Sequence, residues 1–158
     1  MKGKYLFKII YILIISILFL SCTKDKTPEE LIHGNYFLEY ASINGEDVTG
    51  FLINDSIKLT SLYAAKVEDL TPFQFYFAKN QGVEYIFQGG FTFINNSQLR
   101  ISNKGWAGIP DSTILENIAF LPFSKQDKIV LNIETLNENQ LVFNTLFSDK
   151  KYRYEFKE

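Results

Sequence analysis

The chain has 158 residues, 46% hydrophobic and 16% aromatic, with a formal net charge of −2. That is one domain with ample material for a core, which excludes a disordered chain. The absence of a basic excess argues against a nucleic-acid partner. One Cys and one His exclude an intrachain disulfide framework and a His-rich metal site.

In chain order, Lys2, Lys4 and Lys8 form a positive head, and Ile9 to Leu20 is apolar except for Ser16. A membrane span needs about 20 apolar residues, so this run fits the core of a secretory signal. Ser21 supplies the small residue before a cut. Leu18-Phe19-Leu20-Ser21-Cys22 resembles a bacterial lipobox, with Phe19 where Leu is usual. The resemblance implies a signal peptide over 1–21, cleavage before Cys22, and acylation of Cys22 with diacylglycerol and a fatty acid such as palmitate. An incidental Cys or an uncleaved membrane anchor is the alternative. Cleavage removes the three lysines, so 13 basic residues face 18 acidic ones and the net charge becomes −5. Acyl chains rather than a basic patch must then hold the protein to the membrane. Residues 22–30 are polar and read as a tether. Thr23 after the Cys resembles the sorting signal of outer-membrane lipoproteins in Gram-negative cells, which implies the cell outer membrane as destination.

From Leu31 onward the apolar residues recur with period two, the spacing of half-buried strands. Strands are predicted at Tyr36–Ile43 and Ile57–Tyr63, then through Phe73, Phe75 and Phe77. After the turn Asn80-Gln81-Gly82, Tyr85 and Phe87 lead to Gly89-Gly90, a predicted bulge or bend. Phe91 and Phe93 continue, Asn95-Asn96-Ser97 turns the chain, and Leu99 and Ile101 resume. Residues Asn103 to Ser112, with Gly105, Trp106, Gly108 and Pro110, read as a loop, and another strand is expected near Ile114–Phe123. Ile129–Glu134, Leu141–Phe147 and Tyr152–Phe156 form a three-stranded meander joined at Asn137-Glu138-Asn139 and Ser148-Asp149-Lys150. A short helical turn capped by Asp47 is predicted over Asp47–Asn54.

Eight to nine short strands with short connections make an all-β domain over 31–158. The preferred architecture is an antiparallel up-and-down barrel, whose closure removes exposed edges; a β-sandwich is the alternative. Gly34-Asn35-Tyr36, then Ile43-Asn44-Gly45-Glu46-Asp47-Val48-Thr49, resemble the opening strand and turn of lipocalin-like lipoproteins of Bacteroidetes, with Tyr36 in place of Trp. The ending Leu141-Val142-Phe143 and Tyr152-x-Tyr154-x-Phe156 resembles that family too. The resemblance implies a calycin-type barrel and no particular activity.

The residues offer little chemistry. His33 has no evident catalytic partner, and there is no Gly-x-Ser-x-Gly elbow. The acidic pairs Glu29-Glu30, Glu46-Asp47 and Glu68-Asp69 read as solvated turns, because neighbours on a strand point to opposite faces. No enzyme, cofactor or metal is expected. The aromatic stripe is the main candidate site: Phe75, Phe77, Tyr85, Phe87, Phe93, Phe143, Tyr152 and Tyr154 either fill the barrel or line a cavity for a small hydrophobic ligand. Trp106 is a candidate contact from its loop. Asp55-Ser56-Ile57 and Asp111-Ser112-Thr113 resemble O-glycosylation sites of exported Bacteroidetes proteins, at Ser56 and Ser112. The expectation is a lipid-anchored, non-catalytic cell-envelope protein that binds a small hydrophobic ligand or a protein partner. The alternative is an envelope-complex subunit, inhibitor or immunity lipoprotein acting through its outer surface with a filled barrel.

Overall fold

The computed structural model describes residues 25–50, 57–79, 83–107 and 126–158. The leader, Cys22, Ser56, Ser112, the turn at 80–82 and the strand expected near Ile114–Phe123 lie outside these residues. One helical turn, α1 (Pro28–Leu31), precedes nine strands. These are β1 (Gly34–Ile43), β2 (Glu46–Asp47), β3 (Ile57–Ala64), β4 (Pro72–Lys79), β5 (Val83–Asn95), β6 (Gln98–Ala107), β7 (Ile129–Asn137), β8 (Gln140–Phe147) and β9 (Lys150–Lys157).

All pairings are antiparallel between sequential neighbours from β3 to β9, and β1 pairs with both β3 and β9. Eight strands therefore close into a barrel, with β2 as a short extra strand on β1. The architecture is the expected up-and-down barrel, consistent with a calycin-like fold, and not a sandwich.

The turns follow from residues that tolerate positive φ. Asn44 (φ 53°) and Gly45 (φ 88°) join β1 to β2, and Ser148 (φ 48°) and Asp149 (φ 62°) join β8 to β9. Two consecutive positive-φ residues make the tight hairpin turn whose twist matches the strands. Asp47 accepts a hydrogen bond from the Thr49 N–H at 2.8 Å. Hydrogen bonds from the Thr49 side chain and backbone hold its carboxyl below the ordinary value. Of the expected turn over Asp47–Asn54, residues Asp47–Gly50 are described: Asp47 ends β2, and helical backbone starts only at Thr49.

β1 changes partners along its length. Gly34 to Phe37 pair with β3, and Phe37 to Ile43 pair with β9, across an irregularity between Leu38 and Tyr40. Where β1 leaves β3, Ser42 and Ile43 pair with β2. The Ala41 N–H donates to Thr49 Oγ1 at 2.8 Å, and its carbonyl accepts from the Val48 N–H at 2.9 Å. The vacated edge is thus satisfied locally, as buried backbone requires.

Two segments differ in structure from what the sequence pattern suggests. Asn103 to Ala107 belong to β6, so Trp106 stands on a strand, opposite Phe87, and not in a loop. The misreading comes from a bulge. Gln88 faces Gly105 and Gly90 faces Ser102, so Asn103 and Lys104 together oppose Gly89, with Asn103 at φ 51°. The bulge shifts the alternation by one residue and hides it. Gly89-Gly90 accordingly bends one continuous 13-residue strand. Residues 27–30, read as part of the tether, carry local structure. Thr27 and Glu30 form a reciprocal capping box at the start of α1, with Pro28 inside the first turn. Lys26 pairs with Glu138 on the β7–β8 turn, tying this segment to the barrel.

The bulge generates a test. A Cβ at Gly89 would lie 2.6 Å from Ile101 Cγ2 and 2.8 Å from the Ser102 carbonyl oxygen, whereas one at Gly90 would meet nothing closer than 3.9 Å. Gly89→Ala should cost about 2 kcal/mol through overpacking against backbone. Gly90→Ala should change stability by less than about 0.5 kcal/mol. Paired thermal melts check this; equal effects would rule out the bulge geometry.

Candidate functional site

The barrel has two unlike ends. One carries α1, the start of β1, the β3–β4, β5–β6 and β7–β8 connections, and the end of β9. The other carries the β1–β2 and β8–β9 turns and the remaining connections. The first end is plugged. Ile32 is fully buried, and Tyr36, also buried, donates its hydroxyl hydrogen bond to the Leu31 carbonyl at 3.0 Å. Tyr36 therefore couples the barrel floor to α1. Burial and, next, the Glu158 carboxylate push its phenol up to about 12. Its position two residues after Gly34 is where the family resemblance implied an aromatic anchor.

The candidate cavity residues divide by level. Phe75 on β4 and Phe143 on β8 are both fully buried, and their ring centroids lie 6.3 Å apart at 67°. These strands stand opposite each other in the eight-stranded closure, so this contact spans the barrel diameter. The waist is filled by aromatic rings. Tyr154 packs on Phe143 at 5.3 Å, and Phe143 stacks on Phe156 at 5.8 Å. Phe93 lies toward the plugged end, edge-on to Phe91 at 5.9 Å.

Towards the other end, Phe77 and Phe87 each pack on Trp106, at 5.6 Å and 5.3 Å. Phe77 and Phe87 are buried, whereas Trp106 and Tyr85 are only half-buried. Tyr85 pairs with Phe77 across β4 and β5. Tyr152 lies on the same end of β9, nearly buried, and burial raises its phenol. The structure thus brings Phe77, Tyr85, Phe87 and Trp106 together in one mouth cluster. Phe87 also meets Phe75 at 6.3 Å, so the mouth cluster continues into the waist rings Phe75, Phe143 and Tyr154, while Phe93 lies on the far side of them.

The outer face is polar and interlocked. Gln98 donates to Asn132 (2.9 Å), Asn132 to Asn144 (3.3 Å) and Asn144 to Glu134 (2.7 Å). Arg153 joins Glu134 at 2.6 Å and also pairs with Glu155. Burial would raise the Glu134 carboxyl, but hydrogen bonds from Arg153 and Asn144 and the charges of Arg153 and Lys151 outweigh it and hold it low. Among the described residues, no three His, Cys, Asp or Glu side chains gather into a metal-sized cluster. His33 lies outside the barrel, in a polar groove of about 500 Å³ lined also by Thr27, Glu29, Glu30 and Lys66. Sequence reasoning missed this groove, because Lys66 lies 33 residues from His33 and only the β1–β3 pairing brings them together.

The buried phenols make a pH prediction. Tyr36 is raised from 10.0 to about 12, and Tyr154 is raised well above 10.0 by burial and the neighbouring Tyr152. Their neutral forms are favoured in the fold. The stability this gives is complete below the unfolded value near 10 and is lost as pH rises through the folded values. Ultraviolet titration should show exposed tyrosines ionising first and these two ionising only with unfolding. Tyr36→Phe, which removes the bond to Leu31, should cost about 1 kcal/mol at neutral pH.

Among the described residues, no helix is long and apolar enough to cross a membrane. No family model and no curated protein matches the chain. A crystal structure of an uncharacterized protein from Bacteroides eggerthii aligns with a TM-score of 0.49 at 14% identity, covering 80% of this chain and 98% of that one.

Proposed function

We propose that this chain is a lipid-anchored, non-catalytic protein of the cell envelope whose barrel mouth takes a small, flat hydrophobic ligand. The mouth cluster carries the reading: Trp106 and Tyr85 keep part of their ring surface open beside buried Phe77 and Phe87. The filled waist limits any guest to the mouth half, so a long acyl chain threading the barrel does not fit. Apolar walls with few polar groups suit a ligand held by surface burial.

A second reading rests on that same waist. The ring contact between Phe75 and Phe143 favours a packed barrel that acts through its outer surface on a protein, as an envelope-complex subunit, inhibitor or immunity factor.

The lipobox-like stretch Leu18–Cys22 supports the anchor, and Thr23 after the Cys supports the outer membrane as its destination. Cells fed labelled palmitate should label the wild type and not Cys22→Ala; a labelled variant would refute the anchor. Ser56 and Ser112 are proposed O-glycan acceptors, checked by mass shifts lost in Ser56→Ala and Ser112→Ala.

The mouth is tested through the only tryptophan of the chain, Trp106. Titration with 1-anilinonaphthalene-8-sulfonate should quench Trp106 emission saturably by energy transfer. Tyr85→Asp should weaken the effect about tenfold or more, with the circular dichroism spectrum unchanged. A quench that never saturates, or one that Tyr85→Asp leaves intact, favours the filled barrel instead.

A further inference from the structure

The large apolar side chains left exposed among the described residues are Phe37, Val67, Leu70, Ile94 and Leu146. The first four share one end of the barrel, the plugged end. They also sit on consecutive neighbours in the sheet: β1, the β3–β4 connection and β5. They therefore form one sector of the rim. Leu146 stands alone at the opposite end, opposite Lys151 near the β8–β9 turn.

Within this sector the β3–β4 connection is a built knuckle. Val67 and Leu70 exchange both backbone hydrogen bonds, at 2.8 and 2.9 Å, around Glu68 at φ 53°. A pair that exchanges both bonds points its two side chains to the same face. Leu70 is 70% exposed and Val67 48%. Lys66, just before the knuckle, lines the groove with His33 and Glu29. Neither Lys66 nor His33 has an ion-pair partner among the described residues.

Asp25, where the described chain begins, belongs to this end too. Thr27, in the groove wall, is five residues after Cys22, a span of at most about 18 Å. An anchor at Cys22, or an uncleaved apolar leader, therefore holds the plugged end against the bilayer and leaves the mouth facing away. A tether this short gives an effective concentration in the millimolar range, so even a weak surface contact is populated.

We infer that this rim sector is a lipid-surface contact. Val67 and Leu70, flanked by Phe37 and Ile94, enter the headgroup layer, and Lys66 and His33 lie over lipid phosphates. The carboxylates of Glu68 and Asp69 occupy the knuckle tip and disfavour an anionic surface, so zwitterionic lipid is the matching partner. The inference rests on the anchoring reading and adds an orientation to it.

The test uses the full acylated protein in vesicles of brominated phosphatidylcholine. Two variants are compared, each also carrying Trp106→Phe: Leu70→Trp and Leu146→Trp. In both, flotation with the vesicles reports the anchor. The expected result is flotation of both, with Leu70→Trp emission quenched at least twofold and Leu146→Trp emission unchanged. Replacing the host lipid with equally brominated phosphatidylglycerol should reduce the quench. If both proteins float and their tryptophans are quenched equally, or neither is quenched, the contact is refuted, the anchor stands, and the rim is left for a protein partner. If neither floats, the anchor fails and the contact falls with it.

Discussion

The pairing of β1 with β9 is the constraint on which the rest of the structure depends. Phe37 to Ile43 meet Lys157 to Tyr152 across the seam, and every pairing from β3 to β9 joins strands consecutive in sequence. Without the seam, β1 and β9 would each present an edge, and the aromatic faces would have no opposite wall. With it, Tyr152, Tyr154 and Phe156 turn inward onto a core that already holds Phe75 and Phe143. The seam also forces β1 away from β3, and that divergence explains the short β2 and the side-chain bridge from Thr49 to Ala41. One strand thus serves three partners, and local irregularity in β1 is the cost of global closure.

The parts of the fold legible in the sequence are those where the two faces differ in chemistry. In β9, charged Lys151, Arg153, Glu155 and Lys157 alternate with three aromatics, so both conformation and inward face can be read directly. The Asn44-Gly45 and Ser148-Asp149 turns are legible because they need positive φ. Trp106 was not legible as a strand residue, because the bulge at Asn103-Lys104 interrupts the alternation beside two glycines. The Thr27-to-Glu30 capping spacing was present in the sequence but submerged in a polar stretch resembling a tether. The candidate site was half legible. The aromatic stripe predicts an interior, but which rings meet across the barrel depends on strand number and stagger, which no local pattern encodes.

The two ends of the barrel divide the molecule's surface chemistry. The waist rings Phe75 and Phe143 meet across the barrel between these two ends. At the plugged end, Tyr36, Ile32 and α1 form a floor coupled to the first residues after the leader. The amides and charges on the outer face from Gln98 to Arg153 satisfy one another.

The seam also has a kinetic consequence. Phe37 and Lys157 are separated by 120 residues of chain, while β3 to β9 each pair with the strand next in sequence. Closing such a loop costs about 4 kcal/mol of chain entropy, since that cost grows with the logarithm of length. The pairings from β3 onward can form in order as the chain is made, but the barrel stays open until β9 is available. During that interval the exposed edge of β8 invites another copy's β9, so rapid closure competes with pairing between chains.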